Sequence, residues 1–556
     1  MNQVSMKRLL NKLLGIFPFF RKLKLEDGVN NQNNSSIFEI VNEMAEGDFA
    51  AKYTLAEMYA GGYQIEKNDT EAFKLFLEVA QAGYADAQYN VAVAYFNGEG
   101  VQKDQGKAIE WYLKAAEQGK TKAQFNLATM YANGQGVDQD CQQAAHWYLQ
   151  AAEQNVVEAQ FNLAYMFLVG QGIDKNPEKA FYWFQEAADN GDLIALNFLS
   201  ILYLDGLGVE QSYEKAIECF TILDEEGNSE GMYQLSLLYF KGEGVERDCK
   251  KSFELCAKAA ELDHVQAQHA LGNSYQCGIT VEQDYEEAIV WYERAARQDH
   301  LESQLYLGMV YQELDVPDYE KSIFWLMKAA EKQHVEACHM LGCMYLDGEG
   351  VEQDSKKAIE WFSKGAEAGY AESQYVLGAL YSDAAEELNY SEALKWYTKA
   401  AEQDHLKALY YLGHMYFGGM GVEKDFQKAF DYWKRAAELG HVEAQSDLGL
   451  LYENGEGVDQ NGAEALKWYL RAAEKGVLEA QFNAGLLYVR GEIVPENLKQ
   501  AAKWLKLAAD GGYVLAQHNL GILYEYGKGV QQDSVEAEKW YQKARENGFV
   551  PPADYE

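Results

Sequence analysis

Residues 104–140 read DQGKAIEWYLKAAEQGKTKAQFNLATMYANGQGVDQD, and this stretch decides the fold. Asp104 opens a helix on which Lys107, Ala108, Ile109, Trp111, Tyr112, Ala115 and Ala116 recur at helical spacing. Gly119 ends it, because glycine takes the left-handed conformation that closes helices without strain. A second helix carries Ala123, Leu127, Ala128 and Tyr131 and stops at Gly134 and Gly136. Val137 follows, and Asp140 opens the next helix. The unit is two antiparallel helices of about 12–14 residues joined by short turns.

The unit returns along almost the whole chain. Tyr59, Tyr95, Tyr131, Phe167, Tyr203, Tyr239, Tyr275, Tyr311, Tyr345, Tyr381, Tyr416, Tyr452, Tyr488 and Tyr524 share one phase. The step is 36 residues except from Tyr311 to Tyr345, which is 34, and from Tyr381 to Tyr416, which is 35. A fixed period of this length marks stacked repeats and a long binding surface in place of one catalytic pocket. The residue expected to cap the tryptophan-bearing helix is Asp, Asn or Ser in all fourteen repeats: Asn68, Asp104, Asp140, Asn176, Ser212, Asp248, Asp284, Asp318, Asp354, Asn389, Asp425, Asn461, Asn497 and Asp533. Their side-chain oxygens satisfy the free amides of a helix start. The eleven tryptophans keep one register, with Trp433 one residue late behind Tyr432, which predicts packing between repeats and not one aromatic site.

The pattern Ala-Gln…Leu-Ala/Gly…Tyr…Gly-x-Gly-Val…Asp…Lys-Ala…Trp-Tyr…Ala-Ala-Glu…Gly resembles the Sel-one-like repeat, a relative of the tetratricopeptide repeat. It is complete in Ala123, Gln124, Leu127, Tyr131, Gly134, Gly136, Val137, Asp140 and Trp147. The resemblance covers roughly residues 47–548. It implies an all-α, right-handed α-solenoid of about fourteen 36-residue helix-turn-helix repeats that serves as an adaptor or scaffold for other proteins. Two turns depart from the pattern: Glu313-Leu314-Asp315-Val316-Pro317, and Ser382 through Leu388. Losing the glycines predicts a change of curvature over 311–390, with drift in loop length the plainer account.

Ser36 to Glu46, with Ile37, Phe38, Ile40, Val41 and Met44, reads as a capping helix over 36–46 that covers the first repeat. After Gly548, Pro551 and Pro552 forbid another turn, leaving a tail over 549–556. Residues 1–35 stand apart. The first 24 hold six basic residues and no acid, around the short apolar run Leu13 to Phe20, and 25–35 form a polar linker. A leader without structure, a basic segment at 6–24 lying on anionic lipid, an export signal and a self-docking arm all fit that composition.

Net charge is −39, from 87 acidic against 48 basic residues. Phosphate backbones would be repelled, so nucleic acid is excluded as a partner, while a basic protein would be steered in. Acidity that only keeps a large solenoid in solution is the plainer reading. Seven cysteines, odd in number and without pattern, fit the reduced thiols of the cytoplasm. Membrane association or export through the N-terminal segment is the alternative. No stretch reaches the ~20 apolar residues of a membrane-spanning helix.

With Ala123 at 0° and 100° per residue, Leu127, Tyr131 and Ala128 mark the packed face of the second helix. Positions two, three and six residues after that alanine fall on the other face, which in such solenoids lines the concave groove. There stand Tyr89, Phe125 and Phe161, the asparagine ladder Asn90, Asn126 and Asn162, and Tyr165. Asparagine amides suit the backbone of an extended peptide, and the aromatics suit its side chains. The same residues also suit burial between neighbouring helices, and the pattern alone leaves both readings open.

Weaker signals carry less. Gly119-Lys120-Thr121 lacks the leading glycine and the strand of a phosphate loop. His264, His300, His334, His405 and His441 share one position before the second helix and read as surface turn residues. His339 and Cys343 stand one helical turn apart, with Cys338 and His334 near, short of the four ligands a structural zinc needs. The reading is therefore a non-enzymatic scaffold without cofactor or metal, binding a protein partner with a basic surface or an extended peptide. The alternative, which the resemblance implies, is a dedicated inhibitor or immunity protein wrapped around a basic toxin or enzyme. The regular cysteine pairs of family members linked to antibiotic hydrolysis are missing.

Overall fold

The computed structural model describes residues 39, 41–42, 45–63, 65–383 and 389–550. Among them are twenty-eight helices, from Phe49–Gly61 to Ser534–Glu546, and no strand. The chain is an all-α solenoid of about fourteen helix pairs. Two kinds of helix alternate: one with the recurrent tyrosine, such as Thr121–Asn133, and one with the tryptophan, such as Cys141–Ala152. Within each of the chain's two compact units the tyrosine helices pack more closely on the tryptophan helix that follows than on the one before. The basic segment and linker, the membrane contact expected at 6–24, the turn 384–388 and the tail beyond Val550 lie outside the described residues. So does most of the capping segment, where Glu39, Val41 and Asn42 are helical and Val41 and Ala45 are buried.

The helix starts follow from side-chain chemistry. All fourteen expected caps accept a hydrogen bond from a backbone amide of the first turn, as Asp104 does from Lys107 and Asn176 from Lys179. Each is worth about 1 kcal/mol. The cap's own amide donates to the carbonyl of the recurrent tyrosine, 3.0 Å from Asp140 to Tyr131. Both irregular turns keep that bond, at 2.8 Å from Asp318 to Tyr311 and 2.9 Å from Asn389 to Tyr381. The tyrosine thus fixes where the next helix begins, even where the glycines are gone.

The Gly-x-Gly turn has a steric reason as well. A Cβ on Gly136 (φ 76°) would lie 2.5 Å from Cβ and 2.7 Å from the carbonyl carbon of Gln105, the first residue of the preceding tryptophan helix. Where the second glycine becomes Ile493, the facing helix instead begins with Gly462, whose own Cβ would meet the Ile493 carbonyl carbon at 2.7 Å. There the missing side chain stands on the facing helix.

The described residues up to Leu271 form one compact unit and those from Gly272 another. In the first unit the closest approach within a pair uses buried Ala56, Ala92, Ala128, Ala164, Ser200 and Ser236. Ala128 shares its core with Tyr148, and Ala164 with Phe184. In the second unit the same position is always glycine: Gly272, Gly308, Gly342, Gly378, Gly413, Gly449, Gly485 and Gly521. A Cβ there would lie 2.5–2.7 Å from the facing Tyr292, Leu326, Phe362, Tyr397, Tyr469, Leu505 or Tyr541, and Gly413 is covered by Trp433. Mid-helix glycine costs about 1 kcal/mol against alanine, so close packing is what keeps it there.

The tryptophans tie one repeat to the one before. Trp111 packs into the core built from Ala56 to Val91, Trp183 into the core that ends at Met166, and Trp325 into that of Ala288 to Tyr311. Their outer faces carry cations, as where Lys114 lies 4.1 Å from the Trp111 ring centre and Lys364 3.7 Å from that of Trp361. Trp433, one residue late, faces Gly413 instead, and Tyr432 takes the usual place by stacking on Tyr416 at 5.7 Å.

Candidate functional site

The candidate surface runs along the tyrosine helices Ala85–Asn97, Thr121–Asn133 and Val157–Val169 of the first unit. Their packed faces are closed: Ala123, Leu127, Ala128 and Met130 are buried, and so is Gln124. The other positions place Tyr89, Asn90, Phe125, Asn126, Phe161 and Asn162 half-buried, with Tyr165 exposed at 42%. These seven residues do line up along three successive helices. They are also engaged within the fold. Tyr89 lies 5.8 Å from Tyr112, Phe125 5.8 Å from Tyr148 and Phe161 5.6 Å from Phe184, each ring against the paired tryptophan helix. Tyr165 meets Phe198 at 6.1 Å.

Each asparagine uses part of its amide on a phenol. Asn90 Nδ2 donates to Tyr53 Oη at 3.0 Å and Asn126 Nδ2 to Tyr112 Oη at 3.2 Å, while Asn162 hydrogen-bonds Tyr148. Burial pushes the Tyr112 phenol up to about 12 and raises that of Tyr148. Two hollows open along this row. One of about 360 Å³ is lined by Tyr89, Val93, Phe96, Phe125, Asn126 and Thr129. The other, about 330 Å³, includes Asn90, Val93, Phe73 and Glu57, whose carboxyl is pushed up to about 7, chiefly by burial.

The equivalent face of the second unit is mixed, with asparagine again at Asn483 and Asn519. Asp447 stands at the ladder position, where burial and then Glu479 and Glu443 push its carboxyl up to about 7 against the pull of the Tyr410 hydroxyl. His414 Nε2 lies 3.5 Å from Asp447 Oδ2, a spacing that suggests an ion pair. Burial lowers His414 while raising Asp447, so the two are both neutral just below pH 7, and His414 takes up charge only at lower pH.

Two sets of residues do more than the spacing announces. Nine glutamines directly after the packed alanine or serine are buried: Gln88, Gln124, Gln160, Gln268, Gln304, Gln374, Gln445, Gln481 and Gln517. Each donates Nε2 to a carbonyl in the last turn of the preceding tryptophan helix, as Gln124 does to Ala116 at 3.2 Å. Gln124 then accepts from Gln154 at 2.7 Å, which clips three helices together. The Ala-Gln pair in the repeat was the available signal.

The shared-position histidines are not the surface residues the spacing predicts. The side chains of His264, His334, His405 and His441 keep only 8%, 11%, 13% and 13% of their surface exposed. His264 Nδ1 caps a helix by accepting from Ala267 at 3.1 Å, and its Nε2 reaches Glu230 of the preceding repeat at 2.9 Å. The turn faces the neighbouring repeat, which covers the ring. His339 Nε2 lies 3.7 Å from Cys343 Sγ, and its Nδ1 meets Ser373 at 3.1 Å. No group of three or more His, Cys, Asp or Glu side chains placed to hold a metal occurs among the described residues. No helix among them is long and apolar enough to cross a membrane.

A repeated helix pair with capped starts, glycine turns and a tryptophan tie defines an α-solenoid repeat protein. The Sel1 repeat matches it fourteen times, over residues 50–84, 85–120, 121–156, 157–192, 193–222, 229–264, 265–300, 301–334, 335–370, 371–405, 406–441, 442–477, 478–513 and 514–549. The chain belongs to the Sel1 repeat family. Among solved structures it is similar to c5321, a protective antigen present in uropathogenic Escherichia coli strains that displays an SLR fold. Identity is 30% and the TM-score 0.61, over 87% of this chain and 99% of that one. A Sel1 repeat protein from Oxalobacter formigenes shows 31% identity and a TM-score of 0.37, over 43% of this chain and 96% of that one. Immunity protein Pa5087 from Pseudomonas aeruginosa shows 22% and 0.26, over 38% and 81%. A search of the curated proteins gives no match.

Proposed function

We propose that this chain is a non-enzymatic scaffold that holds a protein partner along the tyrosine helices of its first unit. Tyr89, Asn90, Phe125, Asn126, Phe161, Asn162 and Tyr165 are its contact residues. The observation that carries the reading is the threefold repetition of an aromatic and an asparagine beside open hollows. Each amide uses one N–H on a tyrosine and has a second N–H and a carbonyl with which to meet an extended backbone. The rings supply apolar contact at low entropic cost.

The partner presents a basic surface or an extended basic peptide, because −39 of net charge steers cations in. The cytoplasm is the proposed setting, on the strength of seven cysteines without a disulfide pattern. The test is affinity capture from native lysate at low and high salt, comparing the native chain with Asn90→Ala/Asn126→Ala/Asn162→Ala. Loss of salt-sensitive partners in the triple variant, with helicity unchanged, supports the groove. Retention of the same partners at the same levels removes it. A single near-equimolar basic protein would identify a dedicated inhibitor in place of a scaffold with several clients.

A further inference from the structure

The tyrosine helix Leu193–Asp205 and the tryptophan helix after it, Tyr213–Glu225, break two rules of the repeat at once. The tryptophan position holds Cys219, and the buried-glutamine position holds Leu196. Elsewhere the indole at this place reaches back into the core of the preceding repeat, as Trp183 and Trp325 do. Here nothing reaches back. A cavity of about 610 Å³ opens where the ring would sit. Its walls are Leu193, Leu196, Leu199 and Tyr203 of the paired tyrosine helix and Gln185 of the preceding repeat, with Cys219 and Ile222 from the helix that lacks the tryptophan. The next repeat also lacks tryptophan, but its Leu255 is buried at 4% and fills its own place.

The polar groups at the cavity define its preference. Asp189, Glu218 and Glu226 line it, and the one cation, Lys215, lies over the Tyr203 ring at 5.3 Å. The cation that covers the outer ring face in other repeats is replaced here by Ile222, itself exposed at 46%. Leu196 in place of glutamine leaves the inner wall apolar. Burial raises the Cys219 thiol, so at neutral pH the sulfur stays uncharged and contributes an apolar surface. The volume is within the range of small-ligand pockets.

We propose that this vacated indole slot is a docking site for an aromatic side chain, tryptophan above all, of a partner segment whose neighbouring residues are Arg or Lys. The ring takes the place that the chain's own tryptophan takes in ten other repeats, and the basic neighbours meet Asp189, Glu218 and Glu226. The slot lies on Leu193–Asp205 and its flanking tryptophan helices and shares no residue with the groove proposed along the three earlier tyrosine helices, so it stands or falls independently of that groove.

Isothermal titration of the full chain with the blocked peptide acetyl-Arg-Trp-Lys-amide tests it. One site is expected, weakened at least tenfold when alanine replaces the peptide's tryptophan and at least threefold when Glu replaces both its basic residues. Cys219→Trp fills the slot with the residue the repeat elsewhere carries and is expected to fold and to abolish binding. Cys219→Ala keeps the slot open and is expected to bind the peptide within threefold of the native chain. Absence of binding to the native chain, or unchanged binding to Cys219→Trp, overturns the proposal. The Asn90/Asn126/Asn162 alanine variant should bind this peptide normally, which separates failure of the slot from failure of the groove.

Discussion

The two units build the same helix pair with different tolerances. Up to Leu271, alanine or serine separates the tyrosine helix from its partner; from Gly272 onward glycine does so eight times. In the first unit a methyl or hydroxymethyl fits beneath the facing ring. In the second the ring sits where that Cβ would be. The ladder position varies too: the first unit sets Asn90, Asn126 and Asn162 against phenols, whereas the second holds the half-buried acid Asp447 there as well as Asn483 and Asn519. A repeat can therefore keep its caps and period while changing both how closely its helices approach and what its groove offers.

The largest test of this contrast exchanges the small residues. Gly449→Ala puts a methyl 2.7 Å from the Tyr469 ring and should cost about 2–3 kcal/mol as overpacking. Ala128→Gly in the first unit should cost about 2 kcal/mol, from the helix propensity of glycine and the loss of a buried methyl, and without any clash. Hydrogen exchange in the helices concerned measures both, since a long repeat array does not unfold in one step. A gain of stability in Gly449→Ala, as helix propensity alone would have it, would break the distinction between the units.

Asp447→Asn gives this position the asparagine that Asn90, Asn126, Asn162, Asn483 and Asn519 carry elsewhere and should change the pH response of the second unit. The folded carboxyl titrates at about 7, above the ~3.9 of an unfolded aspartate, so the native state holds a proton the unfolded chain has released. The stabilisation this gives is full near pH 4 and is lost as pH rises through 7. The variant should be about 2 kcal/mol more stable than the native chain at pH 8, and its thermal midpoint should vary less between pH 4 and 7. A midpoint equally pH-dependent in both proteins would contradict this.

The glutamine clip is common to both units and calibrates the contrast. Gln124→Ala and Gln445→Ala should each cost about 1 kcal/mol by removing a buried side-chain hydrogen bond, to the carbonyls of Ala116 and Ala437, which keep the amides of Gly119 and Gly440. Unequal exchange losses at the two sites would show that the units differ in more than their small residues. An effect of the same size is expected of Asp140→Ala, about 1 kcal/mol from one lost helix cap.

The helix starts were legible because capping is local chemistry repeated fourteen times, and the tryptophan register and glycine turns because they recur in most repeats. Asp104 caps its helix whatever surrounds it. The roles of Gln124 and His264 were not, since they rest on contacts with a neighbouring helix or repeat that one strand of sequence does not display. A turn histidine looks exposed until the adjacent repeat is stacked on it. The groove residues were legible as a row, but their engagement with Tyr53, Tyr112 and Tyr148 required the helices to be placed. Cys219 escaped notice for the opposite reason: a missing tryptophan leaves no motif, only a cavity.

The central claim, that a partner lies along the tyrosine helices of the first unit, is tested most directly by photo-crosslinking in cells. A photoreactive phenylalanine replaces Phe125 in one version and exposed Glu110, on the tryptophan helix, in another. The account predicts a discrete protein adduct from position 125, lost when Asn90, Asn126 and Asn162 become alanine, and none from position 110. Adducts from position 110 with none from 125 would contradict it.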